Sequence, residues 1–172
     1  MYDFDMTHPL EKFIRNVQDF PKPGVGFKDI TPLMEDHLPE LIKSMSQNID
    51  WSQIDYVVGI ESRGFILGSA MAMLNQKGFI VIRKKGKLPP PVVAESYALE
   101  YGTDTIEMAV NTRKKRVLLV DDVLATGGTL NAAIKLCEKN QFQVMGSSVF
   151  INLSFLNNFE SSGQKLHTVL TY

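Results

Sequence analysis

Val117-Leu-Leu-Val-Asp-Asp-Val-Leu-Ala-Thr-Gly-Gly-Thr129 is the most informative segment of this sequence. Residues 117–120 are a run of branched aliphatic side chains, which is typical of a parallel strand buried on both faces. Asp121 and Asp122 follow at the predicted carboxyl end of that strand, where open α/β sheets bind their ligands. Residues 125–129 are small, so backbone amides and a helix N-terminus can approach an anion closely. The segment therefore predicts a site for a phosphorylated sugar, with the phosphate in the loop and the sugar hydroxyls beside the acids.

Strand-like and helix-like patterns alternate along the rest of the chain. Short apolar runs predict strands at residues 56–60, 79–82, 117–120, 144–151 and 165–172. Apolar residues at helical spacing predict helices at residues 9–17, 38–45, 64–75 and 129–139. Residues 20–32 predict an ordered loop, and residues 97–99 and 105–110 predict a hairpin that could act as a lid. The alternation predicts a parallel α/β sheet.

The composition is that of an ordinary globular domain. The chain has 172 residues, of which 44% are hydrophobic and 22% charged, so a single domain spanning residues 1–172 is expected. The formal net charge of -1 argues against a dedicated nucleic-acid-binding protein. Cys137, the one cysteine, falls in an apolar helical pattern and predicts a buried, unreactive thiol. No segment has the length of a membrane span or the pattern of a secretion signal, so we expect a cytoplasmic protein without a membrane partner.

Two common nucleotide-binding motifs do not match. Gly59 and Gly64 have the glycine spacing of a P-loop, but Phe65 stands where that motif requires lysine. The G-x-G-x-x-G fingerprint of dinucleotide-binding folds is absent from the sequence. The three histidines are isolated, and there is no Cys/His spacing that would predict a zinc site.

Five segments, in order along the chain, resemble the adenine phosphoribosyltransferase family of type I phosphoribosyltransferases. One is the segment 117–129 itself, and the resemblance covers residues 9–172. The others are Phe20-Pro-Lys-Pro-Gly-Val-Gly-Phe-Lys-Asp-Ile-Thr31, Gly59-Ile-Glu-Ser-Arg-Gly-Phe65, Ile82-Arg-Lys-Lys-Gly-Lys-Leu-Pro89 and Ser96-Tyr-Ala-Leu-Glu-Tyr-Gly102.

The resemblance implies a fold and a reaction. The fold is a parallel five-stranded core sheet flanked by helices, with a small N-terminal hood from about residue 1 to 35 and a flexible hairpin lid from about 84 to 110. The reaction converts adenine and 5-phosphoribosyl-1-pyrophosphate (PRPP) to AMP and pyrophosphate through an oxocarbenium-like transition state. Mg²⁺ is expected as a cofactor bound mainly by PRPP, because a pyrophosphate group suits a hard cation. A homodimer is also implied.

The resemblance assigns roles to individual residues. Asp121 and Asp122 lie near the ribose hydroxyls, and Glu100 is a proposed proton donor or shuttle on the N7 side of the purine. Arg63 and Ser62 bind pyrophosphate, and Tyr101 belongs to the lid. The loop that takes the 5-phosphate consists of Ala125, Thr126, Gly127, Gly128 and Thr129. The basic residues that approach pyrophosphate from the neighbouring subunit are Arg83, Lys84 and Lys87. The adenine-binding segment is Gly26, Phe27 and Lys28, with Phe27 stacking on the base and the backbone pairing with its edge.

The sequence departs from the family pattern at a few positions. Gly26 replaces an aliphatic residue and Lys28 a frequent arginine, and Asn152 with Asn157-Asn158 stand where an acid and a Gly-Arg pair are usual. Two rival functions stay open. One is the same transfer to a 6-oxopurine such as xanthine or hypoxanthine, and the other is a PRPP-sensing regulator that has no catalytic activity.

Overall fold

The computed structural model describes residues 8–20, 22–99, 102–159 and 165–172. It divides into two compact units, Met1–Ser44 and Met45–Tyr172. The predicted proton shuttle Glu100 and the lid residue Tyr101 lie outside the described residues.

The first unit contains a two-stranded antiparallel ribbon, β1 (Arg15–Val17) and β2 (Phe27–Asp29), and most of helix α1 (Thr31–Ser46). The predicted helix at residues 9–17 is wrong, because only one 3₁₀ turn forms, at Glu11–Phe13. The chain then turns into β1, where the Arg15 guanidinium donates two hydrogen bonds to the buried Asp29 of β2. This cross-strand ion pair is a long-range contact that helical spacing does not reveal.

Helix α1 begins seven residues before the predicted start at residue 38, since Thr31 is its first residue. The amide of Thr31 donates to the Asp29 carboxylate at 2.9 Å, which satisfies one free amide of the first turn. His37 has non-helical torsion angles, and Pro39 follows inside the helix. Because proline lacks the amide of an intrahelical bond, the two halves meet at a kink, and only the second half was predicted.

The second unit is built on a seven-stranded sheet in the order β5-β6-β4-β3-β7-β8-β9. Strands β4, β3, β7, β8 and β9 are mutually parallel, which confirms the predicted five-stranded parallel core. The strands are β3 (Tyr56–Ile60), β4 (Gly78–Lys84), β5 (Val92–Leu99), β6 (Gly102–Ala109), β7 (Arg116–Leu124), β8 (Gln143–Asn152) and β9 (Leu166–Thr171).

Helices α2 (Arg63–Leu74) and α3 (Gly128–Lys139) cover opposite faces of this sheet. Val57 of β3 lies against α2, close to Gly68, whereas its neighbour Val58 belongs to the buried cluster that includes Leu136 of α3. Successive residues of a strand point to opposite faces, so the two helices sandwich the sheet. Burial on both faces explains why the core strands read as continuous apolar runs.

The hairpin of β5 and β6 extends the sheet beyond β4 and is longer than predicted. Its strands pair from Val92–Ala109 to Leu99–Gly102. Glu95 of β5 accepts a 2.6 Å hydrogen bond from Lys139 of α3, which fastens this strand to the helix.

Strand β7 also differs from the prediction, because it continues through Asp121 and Asp122 to Leu124. Its pairing with β3 stops at Val120, whereas its pairing with β8 continues to Leu124. The two acids therefore lie inside the strand, at the point where its β3 side has become open. None of the helices in the described part of the chain is long and apolar enough to cross a membrane.

Candidate active site

The carboxyl ends of β3, β4 and β7 meet around a cavity of about 440 Å³. Parallel strands end at the same edge of a sheet, so residues far apart in sequence converge here. The lining residues are Glu61, Ser62, Arg63, Lys84, Lys87, Tyr97, Asp121, Asp122 and Thr129. The structure thus brings together Ser62, Arg63, Asp121 and Asp122, which were predicted for the pyrophosphate and ribose sites. Lys84 and Lys87, which were predicted to act on the neighbouring subunit, also line the cavity of their own chain.

The predicted phosphate loop connects β7 to the first turn of α3. Gly127, the N-cap residue of α3, has a φ of +85°, a left-handed conformation that glycine adopts without steric cost. The loop residues 125–129 line a small adjoining cavity of about 80 Å³. Amides of a helix N-terminus with no side-chain cap are suited to an anion such as phosphate.

The two acids of β7 have different environments. Asp122 is buried and forms an ion pair with the Nε of Arg63. Burial raises the pKa of Asp121 well above its usual value, and the neighbouring Asp122 carboxylate raises it further. Two neighbouring carboxyl groups in different surroundings are typical of sites where each performs a different task.

Glu61 organises the basic turn that follows β4. Its carboxylate accepts hydrogen bonds from the Lys87 ammonium at 2.7 Å and from the Lys84 amide at 2.9 Å. The hydrogen bond from Lys87 is the largest cause of a pKa for Glu61 of about 2. On the other side of the turn, the buried Glu107 accepts a hydrogen bond from the amide of Gly86. Two carboxylates therefore hold Lys84 and Lys87 at the cavity of their own chain.

Arg83 has a different position from the two lysines. It is not among the residues that line the cavity, and its guanidinium carbon lies 5.9 Å from the centre of the Phe65 ring. Its Nε is 3.4 Å from Glu61 but is not aligned for a hydrogen bond. A role of Arg83, Lys84 or Lys87 in the neighbouring subunit stays a prediction.

Tyr97 lines the cavity although the sequence analysis assigned it no role. Its hydroxyl lies 3.4 Å from the Asp104 carboxylate, which also pairs with Lys84 at 3.3 Å. Burial raises the pKa of Tyr97. A Cβ atom on Gly128 would be 3.3 Å from the Tyr97 ring, so the hairpin rests on the phosphate loop. The sequence signal was its place in the family-like segment 96–102, beside the more prominent Glu100 and Tyr101.

Asn157, one of the departures from the family pattern, supports the phosphate loop. Its side-chain amide nitrogen lies 2.7 Å from the Ala125 carbonyl oxygen and 2.9 Å from that of Leu153. Its carbonyl oxygen accepts a hydrogen bond from the amide of Phe159, whose ring lies against Gly127. The asparagine therefore ties the C-terminal segment to the loop in this chain.

Replacing Asn157 by alanine is expected to weaken binding of AMP and PRPP about fivefold. The change removes the hydrogen bond that holds the Ala125 carbonyl, and one such bond contributes about 1 kcal/mol. Calorimetric titration with AMP measures the effect directly. The adjacent, exposed Asn158 is the matched control, and its replacement by alanine should leave AMP affinity within about twofold of wild type. Equal losses in the two variants would contradict a specific role for Asn157.

The predicted adenine segment lies in the first unit, and its last two residues form part of a strand rather than a loop. Phe27 and Lys28 belong to β2, opposite Val17 and Asn16 of β1. The Phe27 ring makes an edge-on contact with Phe20, with ring centres 5.2 Å apart. Gly26 is exposed, and a Cβ atom at its position would meet only the end of the Gln18 side chain.

Metal-binding groups are sparse in the described part of the chain. No three Asp, Glu, His or Cys side chains there come close enough together to hold a metal ion. The cavity does contain Asp121 and Asp122, whose oxygen atoms are of the type that Mg²⁺ prefers. This donor set suits a cation that takes most of its ligands from a bound diphosphate and few from the protein.

Comparison with known proteins agrees with this geometry. Residues 28–165 match the model of the phosphoribosyl transferase domain. The chain is 44% identical to an adenine phosphoribosyltransferase from Hydrogenovibrio crunogenus, across 96% of this chain and 97% of that protein. It is 47% identical to the one from Bdellovibrio bacteriovorus, across 95% and 99%.

Solved structures show the same relationship. Adenine phosphoribosyltransferase from Rhodothermus marinus superimposes with a TM-score of 0.86 at 45% identity, covering 95% of this chain and 96% of that one. The enzyme from Saccharomyces cerevisiae, crystallised with an imino-altritol bisphosphate and adenine, gives 0.84 at 31% identity, covering 93% and 96%. By fold, by site geometry and by sequence, this chain belongs to the adenine phosphoribosyltransferase family.

Proposed function

We propose that this protein transfers the 5-phosphoribosyl group of PRPP to adenine, giving AMP and pyrophosphate. The observation that carries the proposal is the single cavity in which Arg63, Lys84 and Lys87 face the acids of β7 beside the phosphate loop. A phosphoribosyl donor needs three sets of binding residues. One set binds the 5-phosphate, one binds the ribose hydroxyls, and one binds the leaving pyrophosphate.

The chemistry requires positioning and charge more than covalent catalysis. The bond between C1 of the ribose and pyrophosphate breaks, its electron pair leaves with pyrophosphate, and a nitrogen of adenine forms the new bond to C1. Lys84, Lys87 and Arg63 stabilise the charge that builds on pyrophosphate. The negative charge of the Asp122 carboxylate stabilises the positive charge that develops on the ribose ring in the transition state. Glu100 is proposed to move the proton that adenine gives up.

Recognition of the base is assigned to the segment from Gly26 to Lys28. Adenine is neutral and presents an amino donor beside a ring-nitrogen acceptor, which one backbone carbonyl and one amide satisfy together. Phe27 is the proposed stacking partner of the ring. The exposed backbone at Gly26 agrees with recognition that does not need a side chain there.

Mg²⁺ is the proposed cofactor, and it would be held mainly by PRPP, with no protein side chain assigned as a direct ligand. When bound, Mg²⁺ would neutralise the negative charge that builds on pyrophosphate as the bond between pyrophosphate and C1 of the ribose breaks. The predicted cytoplasmic location stays a prediction.

Conversion of PRPP and adenine to AMP tests the proposal directly. Purified protein, incubated with Mg²⁺, PRPP and adenine, should release AMP and pyrophosphate in equal amounts, measured by nucleotide chromatography and a coupled pyrophosphate assay. A protein that binds PRPP and forms no nucleotide from any purine base would instead be a PRPP-sensing regulator.

A homodimer is the proposed assembly. Helix α2 exposes the apolar side chains of Ile66, Met73 and Leu74, of which Met73 is 79% exposed, and Phe79 at the start of β4 is also exposed. Apolar side chains grouped on one helix and its neighbouring strand suit a contact with a second copy. Arg83 belongs to the same strand as Phe79 and does not line its own cavity, which supports its proposed action on the neighbouring site.

Mixing two inactive variants tests the dimer and the role of Arg83 together. Asp122→Ala disables the site of its own chain, and Arg83→Ala disables the site of its partner if Arg83 acts across the interface. Random pairing should then restore about a quarter of the wild-type activity, because half of the dimers are mixed and each contains one intact site. If Arg83 serves its own chain, the mixture stays inactive, and a fully active monomer in light scattering would contradict the dimer.

A further inference from the structure

A second cavity, of about 480 Å³, lies at the opposite edge of the sheet from the candidate active site. It is formed at the amino ends of β3 and β4 and just before β7, where Asp55, Gly78 and Lys115 mark the three chain segments. Strand β3 spans the sheet between the two cavities, so they are about 17 Å apart at 3.3 Å per residue. The residues that line this second cavity are Ile54, Asp55, Tyr56, Gln76, Lys77, Gly78, Arg113, Lys114 and Lys115.

This cavity is strongly cationic. Lys77, Arg113, Lys114 and Lys115 line it, and the one acid in the lining is Asp55. Asp55 is already neutralised, because Arg116 donates to its two carboxylate oxygens at 2.7 and 3.1 Å. In the part of the chain that the structure describes, no carboxylate forms an ion pair with any of the four lining cations. A local excess of four positive charges in a chain of net charge -1 is the pattern of an anion site.

Lys115 is held in place within the cavity wall. Its ammonium lies 4.4 Å from the centre of the Tyr56 ring and 5.4 Å from that of Phe142. Burial lowers the pKa of Lys115, and the charge of Arg113 lowers it further. A bound anion would counteract the repulsion between Arg113 and Lys115 and would stabilise the charged form of Lys115. The neighbouring positive charges therefore favour binding of an anion at this site.

The shape and the lining define the class of anion. Two segments contribute the cations, with Lys77 on one side and residues 113–115 on the other, so an extended anion bridges them better than a single phosphate. The volume is within the range of small-molecule sites, about 300–1,000 Å³. The Tyr56 ring packs on Gly78, where a Cβ atom would lie 2.3 Å from the ring, and it also contacts Lys115. The lining residues can therefore bind phosphate groups through their positive charge. They leave no aromatic ring face exposed on which a base could stack.

We propose that this cavity binds a chain of phosphate groups, such as inorganic tripolyphosphate or the triphosphate of a nucleotide, at a site separate from the catalytic cavity. Recognition is by Lys77, Arg113, Lys114 and Lys115 through charge-assisted hydrogen bonds. The proposal does not depend on the proposed transferase activity, because it concerns the other edge of the sheet.

Amide chemical shifts of the full chain, titrated with tripolyphosphate, test the site without an activity measurement. Shifts at residues 76–78 and 113–116 report this cavity, and shifts at residues 125–129 report the phosphate loop of the other. Lys77→Gln combined with Lys114→Gln should weaken binding at the first set about 100-fold, because each lost charge-assisted hydrogen bond costs about tenfold or more. Affinity at residues 125–129 should stay unchanged, which also shows that the variant is folded.

The matched control removes the same charge elsewhere. Lys12→Gln with Lys43→Gln changes two exposed lysines of the first unit and should leave both sets of shifts as in wild type. A parallel titration with ATP shows which kind of molecule the site recognises. If ATP binds more tightly than tripolyphosphate, the site also recognises the nucleoside, and if the two bind equally, the site recognises the phosphate chain alone. Saturable shifts confined to residues 125–129, or equal affinity in the two double variants, would overturn the proposal.

Discussion

Adenine is expected to be used with a kcat/KM about 10⁴-fold higher than that of hypoxanthine. Hypoxanthine carries a carbonyl where adenine has its amino donor, and a protonated ring nitrogen where adenine has an acceptor. A backbone carbonyl and amide arranged for adenine at Gly26–Lys28 would therefore face two mismatched groups. Buried polar groups left unpaired are costly, which is why such sites discriminate strongly. Initial rates with adenine, hypoxanthine, xanthine and guanine, at fixed PRPP and Mg²⁺, measure the ratio.

Phe27→Ala separates the base pocket from the reacting centre. Loss of the stacking ring should weaken adenine and AMP together, by about tenfold, while PRPP binding in the absence of base changes little. The nearby Phe20→Ala is the matched control, because it removes a ring of the same size that contacts Phe27 and has no proposed contact with the base.

Equal or better use of hypoxanthine than of adenine by the wild-type protein would assign it to the 6-oxopurine transferases instead.

Arg63→Ala is expected to lower kcat/KM for PRPP by about 10²-fold or more. The guanidinium is a proposed ligand of pyrophosphate, and a hydrogen bond between charged groups contributes about 1.5–3 kcal/mol. That contribution grows as negative charge accumulates on the leaving group, so it should appear in kcat as well as in KM. AMP carries no pyrophosphate, and its binding should change far less than that of pyrophosphate. Steady-state kinetics in both directions and calorimetry with AMP provide the comparison.

The ion pair with Asp122 requires a control of its own. Removal of Arg63 also leaves the buried Asp122 carboxylate beside Asp121 without its partner, which could disturb the ribose site. Arg63→Lys keeps the positive charge and should recover part of the lost activity, whereas Asp122→Asn removes the ion pair and keeps Arg63. If Arg63→Ala weakened AMP as strongly as it weakened pyrophosphate, Arg63 would act through Asp122 and not on the leaving group.

Local patterns were sufficient to predict the parallel core and the connection from strand β7 to helix α3. The apolar run 117–120 and the small residues after it are contiguous, and each element forms for reasons contained within a few residues. The N-terminal prediction failed for the opposite reason. Residues 9–17 have helical spacing, yet the Arg15 ion pair with Asp29 and the pairing of β1 with β2 place them in a ribbon. Tertiary contacts commonly override a weak helical preference in so short a segment.

The sequence by itself determined the fold class, the family-like segments and the types of residue available for the chemistry. Only the tertiary structure decided which of these residues meet. Arg63 pairs with Asp122 across 59 positions, Asn157 supports Ala125 across 32, and Glu61 holds Lys87 across 26. It also separated Lys84 and Lys87, which line the cavity, from Arg83, which does not. Such pairings follow from the order and register of parallel strands, which bring distant loops to one edge of the sheet, and no local pattern specifies them.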